Sequence, residues 1–139
     1  METFEKLEVW REGKELAVEI YRSFRGCRDF SFRDQIQRAA VSVPANIAEG
    51  LERNSPAECK QFMSFAKGSA GEVRAFLLIA EEVQLIDKDQ AQRLREQAIR
   101  VSKRLYRFIL SLEVRFHLKR GGYRAPFPPS TYTLNGEMW

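Results

Sequence analysis

The sequence predicts an all-α, antiparallel up-down four-helix bundle followed by an extended Pro- and aromatic-rich tail. Three observations carry that expectation. Apolar residues recur at three- and four-residue steps along four long segments, distinct helix-start signals separate those segments, and no alternating apolar/polar run reads as a strand. The 139 residues suffice for one domain with a full core, and are too few for two comfortable ones. A hydrophobic fraction of 44% with 30% charged residues fits a folded chain with a solvated surface. The expected division is bundle over residues 1–120 and tail over 121–139.

The first helix is expected from near Phe4, with Thr3 as its cap and Glu5 in its first turn. Leu7, Trp10, Ala17, Val18 and Tyr21 share one face, and Val9, Leu16, Ile20 and Phe24 form a second stripe beside it. A helix apolar over so much of its circumference packs on two sides, one toward the bundle and the other toward a neighbouring subunit. Gly26 to Asp29 interrupt the pattern, and Ser31 with Asp34 resembles the capping arrangement of a second helix. Its apolar face is Ile36, Ala39, Ala40, Val43 and Ile47, with Pro44 expected to kink it without ending it.

Ser55-Pro56-Ala57-Glu58 is the clearest start signal in the chain: serine caps, proline takes the first helical position and Glu58 closes the capping box. Phe62, Phe65, Ala66, Ser69, Val73, Phe76, Ala80 and Val83 then read as the core stripe of helix three. Asp87 with Gln90 opens helix four, whose core face is Leu94, Ala98, Val101, Leu105, Phe108, Leu112 and Phe116. Gly121-Gly122 ends it. Pro126, Pro128 and Pro129 favour an extended, polyproline-like tail in which Tyr123, Phe127, Tyr132 and Trp139 are interleaved. That tail reads either as a mobile terminus or as a strap whose aromatics dock on the bundle, a neighbouring subunit or a partner.

Several function classes lack their sequence signals. No segment offers the roughly 18 consecutive apolar residues of a membrane span, and the start mixes acids with apolar residues unlike a secretory signal. A cytoplasmic protein is the expectation. Cys27 and Cys59 have no metal-ligand spacing, and His117 is the only histidine, so no metal or cofactor is expected. No Walker loop, dinucleotide fingerprint or nucleophile elbow is present, and the expectation is that the chain is not an enzyme.

The charge is unevenly placed. Residues 1–92 hold 13 Lys/Arg against 16 Asp/Glu, whereas residues 93–124 hold 10 Lys/Arg against Glu96 and Glu113 alone. At about 100° per residue, Arg93, Arg100, Arg104, Arg107 and Arg115 fall within roughly 80° on helix four. Lys103 flanks them, and Lys119 and Arg120 extend the positive charge. Planar guanidinium forks suit phosphate, so the stripe is a candidate nucleic-acid-binding surface. The competing reading is a solvated face, or arginines paired with acids of helices one and three.

On helix two, Arg38, Ser42, Asn46, Glu49 and Arg53 form another stripe, expected near Ser69 and Glu72 of the small-residue run Gly68-Ser69-Ala70-Gly71-Glu72. The expectation is a structural polar network that fixes helix register or subunit contacts. A catalytic pair of Glu49 and Glu72 is the weaker alternative.

Gln35-Ile36-x-Arg38-Ala39-Ala40-x-Ser42-Val43-Pro44-Ala45-Asn46-Ile47-Ala48-Glu49-Gly50 resembles the signature of the 23S rRNA intervening-sequence proteins, also called the four-helix-bundle family. The opening Phe4-x-x-Leu7-x-Val9-Trp10, then Arg53, Phe62 and Gly68-Ser69-x-x-Glu72, is similar in order and approximate spacing. The resemblance covers about residues 4–118 and implies a left-handed bundle assembled as a homopentameric ring around a central channel. It also implies no enzymatic activity. Related ring-forming bundles are accessory proteins of diversity-generating retroelements, which bind a reverse transcriptase and nucleic acid through basic surfaces. The tail after Gly121 goes beyond the family pattern. Together these readings anticipate a homo-oligomeric accessory protein that binds nucleic acid, RNA above all, through helix four. The alternative is a scaffold for a partner enzyme such as a retroelement reverse transcriptase.

Overall fold

The computed structural model describes residues 4–119, with side-chain detail through Val114, and the backbone of 133–134 and 137–138. After a 3₁₀ turn at Phe4–Lys6 come four helices: α1 (Glu8–Ser23), α2 (Phe30–Glu52), α3 (Pro56–Glu82) and α4 (Lys88–Lys119). Each packs against its sequence neighbour and α4 closes against α1, the order of an up-down bundle. No helix among the described residues is long and apolar enough to cross a membrane. Within the tail, β1 (Thr133–Leu134) pairs antiparallel with β2 (Glu137–Met138), Thr133 opposite Met138. At these four residues the tail is paired strand rather than the isolated extended chain expected from its prolines.

The helix ends differ from expectation at two places. α1 begins at Glu8, after the 3₁₀ turn, and its N-cap Leu7 makes no side-chain cap bond. α2 begins one residue before Ser31, because the Asp29 carboxylate accepts from the Phe32 backbone N–H at 3.0 Å. A carboxylate suits the positive helix end better than a hydroxyl does, which explains the choice of cap. At α3 the expected cap holds: Ser55 Oγ accepts from the Glu58 N–H at 3.3 Å, with Pro56 in the first turn. Asp87 likewise accepts from the Gln90 N–H at 3.3 Å ahead of α4. Pro44 lies inside an unbroken α2.

The core contains Leu16 and Ile20 of α1 and Phe24 at its C-terminal cap, with Ile36, Ala40, Val43 and Ile47 of α2, all fully buried. α4 adds Leu94, Ala98, Val101, Leu105 and Leu112 from its expected face, while Phe108 is only partly covered. Burying Phe24 alone contributes about 2–3 kcal/mol, and its ring sits 6.1 Å from Phe32, which meets Phe76 edge-on. On α3 the buried stripe is Cys59, Met63, Ala66, Ala70, Val73, Leu77 and Ala80. This is turned by roughly 60° from the predicted one. Phe65 and Val83, assigned to the core from the sequence, are 51% and 59% exposed. α3 is apolar around most of its girth, so periodicity alone does not select the buried side.

Gly50 decides that side. A Cβ on Gly50 would lie 3.0 Å from Phe62 Cβ and 3.1 Å from the Cys59 carbonyl oxygen, so only glycine lets α2 and α3 approach this closely. At Gly13 of α1 a Cβ would come within 3.1 Å of Ile47 Cδ1 and 3.3 Å of Val43 Cγ1, side-chain atoms that would have to give by a few tenths of an ångström. α3 ends in a Schellman motif: Leu85 N–H donates to Ala80 O at 2.8 Å and Gln84 N–H to Glu81 O at 3.2 Å. Gln84 therefore takes φ 62°, a left-handed position without a glycine.

Candidate nucleic-acid interface

The basic stripe of α4 lies where the antiparallel packing of α1 and α4 places it. α1 carries Glu8, Glu12, Glu15 and Glu19 at four- and three-residue steps, so the four acids occupy one flank of the helix. That flank faces α4. Arg104 donates through Nε and Nη2 to the two carboxylate oxygens of Glu12, at 2.8 and 2.9 Å. The Glu12 hydrogen bond, more than the charges of Glu12 and Glu8, pushes the Arg104 guanidinium above its already high ordinary pKa. One turn along, Arg100 and Gln97 line a cleft of about 110 Å³ with Glu12 and Glu15. Gln90 Nε2 donates to Ser23 Oγ at 2.8 Å and closes the seam at its far end.

The stripe thus divides. Arg104 turns into the seam with α1, and Arg100 sits at its edge. Arg93, Lys103 and Arg107 are exposed, with Arg93 hydrogen-bonded to Gln90 on its own helix. Arg115 and Lys119 lie on the last turns of α4, where side chains are not described, and Arg120 lies outside the described residues. On the other flank, Arg95 pairs with Glu81 of α3, so acids of helices one and three each take one arginine of α4. Pairing of α4 arginines with acids of helices one and three is the competing reading of the sequence, and Arg104 and Arg95 follow it; the 8-12-15-19 spacing of α1 marks the acids that face α4.

The expected polar network resolves into separate parts. Ser42 and Ser69 hydroxyls bond directly across the α2–α3 contact, and Asn46 Nδ2 donates to the Ser42 carbonyl at 2.7 Å. Glu49 and Arg53 form an exposed ion pair along α2 at 2.6 Å, with the Arg53 guanidinium 4.9 Å above the Phe62 ring. Arg38 and Glu72 are exposed, and among the described residues no hydrogen bond joins them to the others. Glu49 and Glu72 do not converge on a shared site. No group of three or more His, Cys, Asp or Glu among the described residues is placed to hold a metal ion. Tyr123, Phe127, Tyr132 and Trp139, the tail aromatics, lie outside the described residues.

Among curated proteins none matches the chain. A solved structure from Bacteroides thetaiotaomicron VPI-5482, described as a protein of unknown function from the S23 ribosomal protein family, is similar at 25% identity. It has a TM-score of 0.69 and covers 73% of this chain and 97% of that one. The likeness leaves part of this chain unmatched. The family model for the 23S rRNA-intervening sequence protein matches residues 5–107, which includes Arg93, Arg100, Lys103, Arg104 and Arg107 and stops short of Arg115, Lys119 and the tail. With most of the bundle inside that match, the chain belongs to the 23S rRNA-intervening sequence protein family.

Proposed function

We propose that this chain is a non-enzymatic, self-assembling accessory protein of the cytoplasm that binds nucleic acid, with RNA the expected ligand, through the outer face of α4. One observation carries the reading: Arg93, Arg100, Lys103 and Arg107 are all exposed on that face, with Asp89 and Glu96 as its acids. Arginine forks and a lysine on one rigid helix suit phosphates spaced along a strand, and bind by charge and shape without reading bases.

Self-assembly has its own support. α3 turns Phe65, Gly68, Glu72, Ala75 and Ile79 outward at three- and four-residue steps, with Phe65 and Ile79 about half exposed. Val18, Tyr21 and Val41 expose a second apolar surface on α1 and α2. Two different apolar faces on one chain suit a head-to-tail contact, the kind that closes into rings; the family resemblance implies a ring of five. Repetition of the α4 face around such a ring would multiply weak phosphate contacts. The exposed apolar faces also favour a second reading, in which the assembly is a scaffold for a partner enzyme such as a retroelement reverse transcriptase.

The test is binding of RNA, single-stranded DNA and duplex DNA across a salt series, with assembly first matched by light scattering. Four engaged cations give a log–log salt slope of about −3 on a single strand, and Arg93, Arg100, Lys103 and Arg107 changed together to Gln remove it. On a strand too short to displace Glu12 by itself, Glu12→Gln releases Arg104 and steepens the slope by about 0.7. No binding at moderate salt, or undiminished binding by the fourfold variant, defeats the reading and turns attention to protein partners.

A further inference from the structure

Residues 24–29, which join α1 to α2, turn beside the start of α4. Ser23 Oγ, at the end of α1, accepts from Gln90 Nε2 at 2.8 Å, and Gln90 in turn accepts from the Arg93 guanidinium. The connection therefore leaves α1 where the basic stripe of α4 begins. Phe24, fully buried, pins its first residue to the core, and the Cys27 N–H donates to the Phe24 carbonyl at 3.1 Å. That turn keeps Arg25, Gly26 and Arg28 at the surface. Residues 22–33 hold Arg22, Arg25, Arg28 and Arg33 against Asp29 alone, a cluster concealed by the acidic excess of residues 1–92.

The acids around this corner are largely committed. Glu19 holds Arg22 at 3.1 Å and Asp34 holds Arg33 at 3.3 Å. Asp29 caps α2 through the Phe32 N–H, and Asp87 caps α4 through the Gln90 N–H. Asp89 is exposed in the first turn of α4, next to the exposed Lys88. Arg25 and Arg28 are exposed and, among the described residues, neither makes an ion pair. Phe30, two residues beyond Arg28, opens α2 with 61% of its surface exposed. It lies outside the core that Phe32 and Ile36 join, so packing does not account for it. The Arg33 guanidinium sits 4.9 Å from the centre of its ring and steadies it, with most of the ring left to water.

We propose that this corner is a single-strand site continuous with the α4 stripe, Arg25 and Arg28 meeting phosphates while an unpaired base stacks on Phe30. The proposal rests on the nucleic-acid reading and narrows its ligand to strands with exposed bases. Every base has a π-face, so such a platform takes bases without reading sequence. Guanidinium forks beside it match the phosphates that flank the stacked base. A duplex keeps its bases in the helical stack and offers Phe30 only its backbone. An apolar protein partner fits less well, because covering Phe30 would strip water from the neighbouring guanidiniums and return no charge. RNA and single-stranded DNA share this chemistry, and the sugar is an arm of the test.

The test is a fluorescence-anisotropy titration of the full chain, at matched assembly, with oligoadenylate, a fully abasic strand of equal length and charge, and a duplex. Riboadenylate and deoxyadenylate are run in parallel, and the tighter of the two identifies the sugar. The expected result is that the adenylate strand binds about tenfold more tightly than the abasic one. Phe30→Leu erases that preference and Phe30→Tyr retains it, since the ring and not its bulk is required. Arg25→Gln with Arg28→Gln makes the log–log salt slope shallower by about 1.4 on adenylate and abasic strands alike. A base preference that survives Phe30→Leu, or a slope unchanged by the double arginine variant, overturns the proposal. Corner variants that bind like the unmodified chain, with binding lost when Arg93, Arg100, Lys103 and Arg107 are changed together to Gln, overturn the corner and keep the α4 surface. The reverse pattern keeps the corner and overturns the α4 surface. No binding of any strand at moderate salt overturns both.

Discussion

Replacing Gly50 by alanine sets two known effects against each other. In a helix interior alanine is favoured over glycine by about 1 kcal/mol, so wherever there is room the substitution stabilises. At Gly50 there is no room. The new methyl would lie 3.0 Å from Phe62 Cβ, 3.1 Å from the Cys59 carbonyl oxygen and 3.1 Å from Met63 Cε. Only the Met63 tip can swing aside; the other two atoms move only if α3 itself moves. Separating α2 from α3 by a few tenths of an ångström loosens Ile47 and Met63, both fully buried, and stretches the Ser42–Ser69 contact. Overpacking of this kind costs about 2–3 kcal/mol, leaving Gly50→Ala less stable by about 1–2 kcal/mol after the propensity gain.

Gly71 is the control. It lies in the interior of α3, and a Cβ there would meet nothing within 4 Å. Gly71→Ala should therefore stabilise by about 0.5–1 kcal/mol, and the two variants should differ by about 2–3 kcal/mol although the chemical change is identical. Urea unfolding followed by circular dichroism, at one fixed protein concentration so that any self-association contributes equally, measures both midpoints. A Gly50→Ala midpoint at or above that of the unmodified chain, with unchanged slope, would refute the argument that glycine is required by the α2–α3 approach.

Two further expectations follow from local geometry. Gln84 holds φ 62° at the end of α3, so Gln84→Gly should raise stability by about 0.5–1 kcal/mol, or about 3 °C in Tm, whereas Gln84→Val should lower it; a melting curve showing the opposite order refutes the left-handed cap. Cys59 is buried and its thiol is pushed up by that burial, while Cys27 is half-buried, so a thiol reagent at pH 8 should label Cys27 first. Because a raised pKa keeps the thiol protonated until higher pH, Cys59 labelling should gain more than Cys27 labelling as pH rises; the Cys27→Ser variant isolates the slow phase, and equal rates for the two cysteines would contradict the placement.

How far the sequence foretells this fold depends on how many answers each pattern allows. α2 has a narrow apolar face, so Ile36, Ala39, Ala40, Val43 and Ile47 were assigned to the core and are buried there. Ser55 caps α3 because Pro56 leaves few other places for the helix to start. α3 itself allowed several answers: with Phe62, Phe65, Phe76, Leu77, Leu78 and Ile79 around it, the buried side is settled by the contact at Gly50, which is a long-range fact. The candidate interface shows the same division. Periodicity placed Arg93, Arg100, Arg104 and Arg107 on one side of α4, but which of them meets an acid depends on the register between α1 and α4, fixed by packing rather than by spacing.

Under the proposed function, the α1–α4 seam would act on nucleic-acid binding through competition. Glu12 already fills the Arg104 fork in the geometry a phosphate would use, two oxygens accepting two parallel N–H groups. Arg104 remains about two-fifths exposed and Glu12 about one-quarter, and ion pairs this wet contribute at most about 1 kcal/mol. A single phosphate gains little by displacing such a carboxylate. A strand that already engages Arg100, Lys103 and Arg107 brings further phosphates to the seam at high local concentration, where a loss of about 1 kcal/mol is readily offset. Under the proposed function, the acid flank of α1 would discriminate by valence: isolated anions would leave the seam closed, and a polyanion of sufficient length would recruit Arg104 as an additional contact. The length at which the salt slope steepens is then set by the spacing of these residues along α4, about 10.5 Å from Arg100 to Arg107.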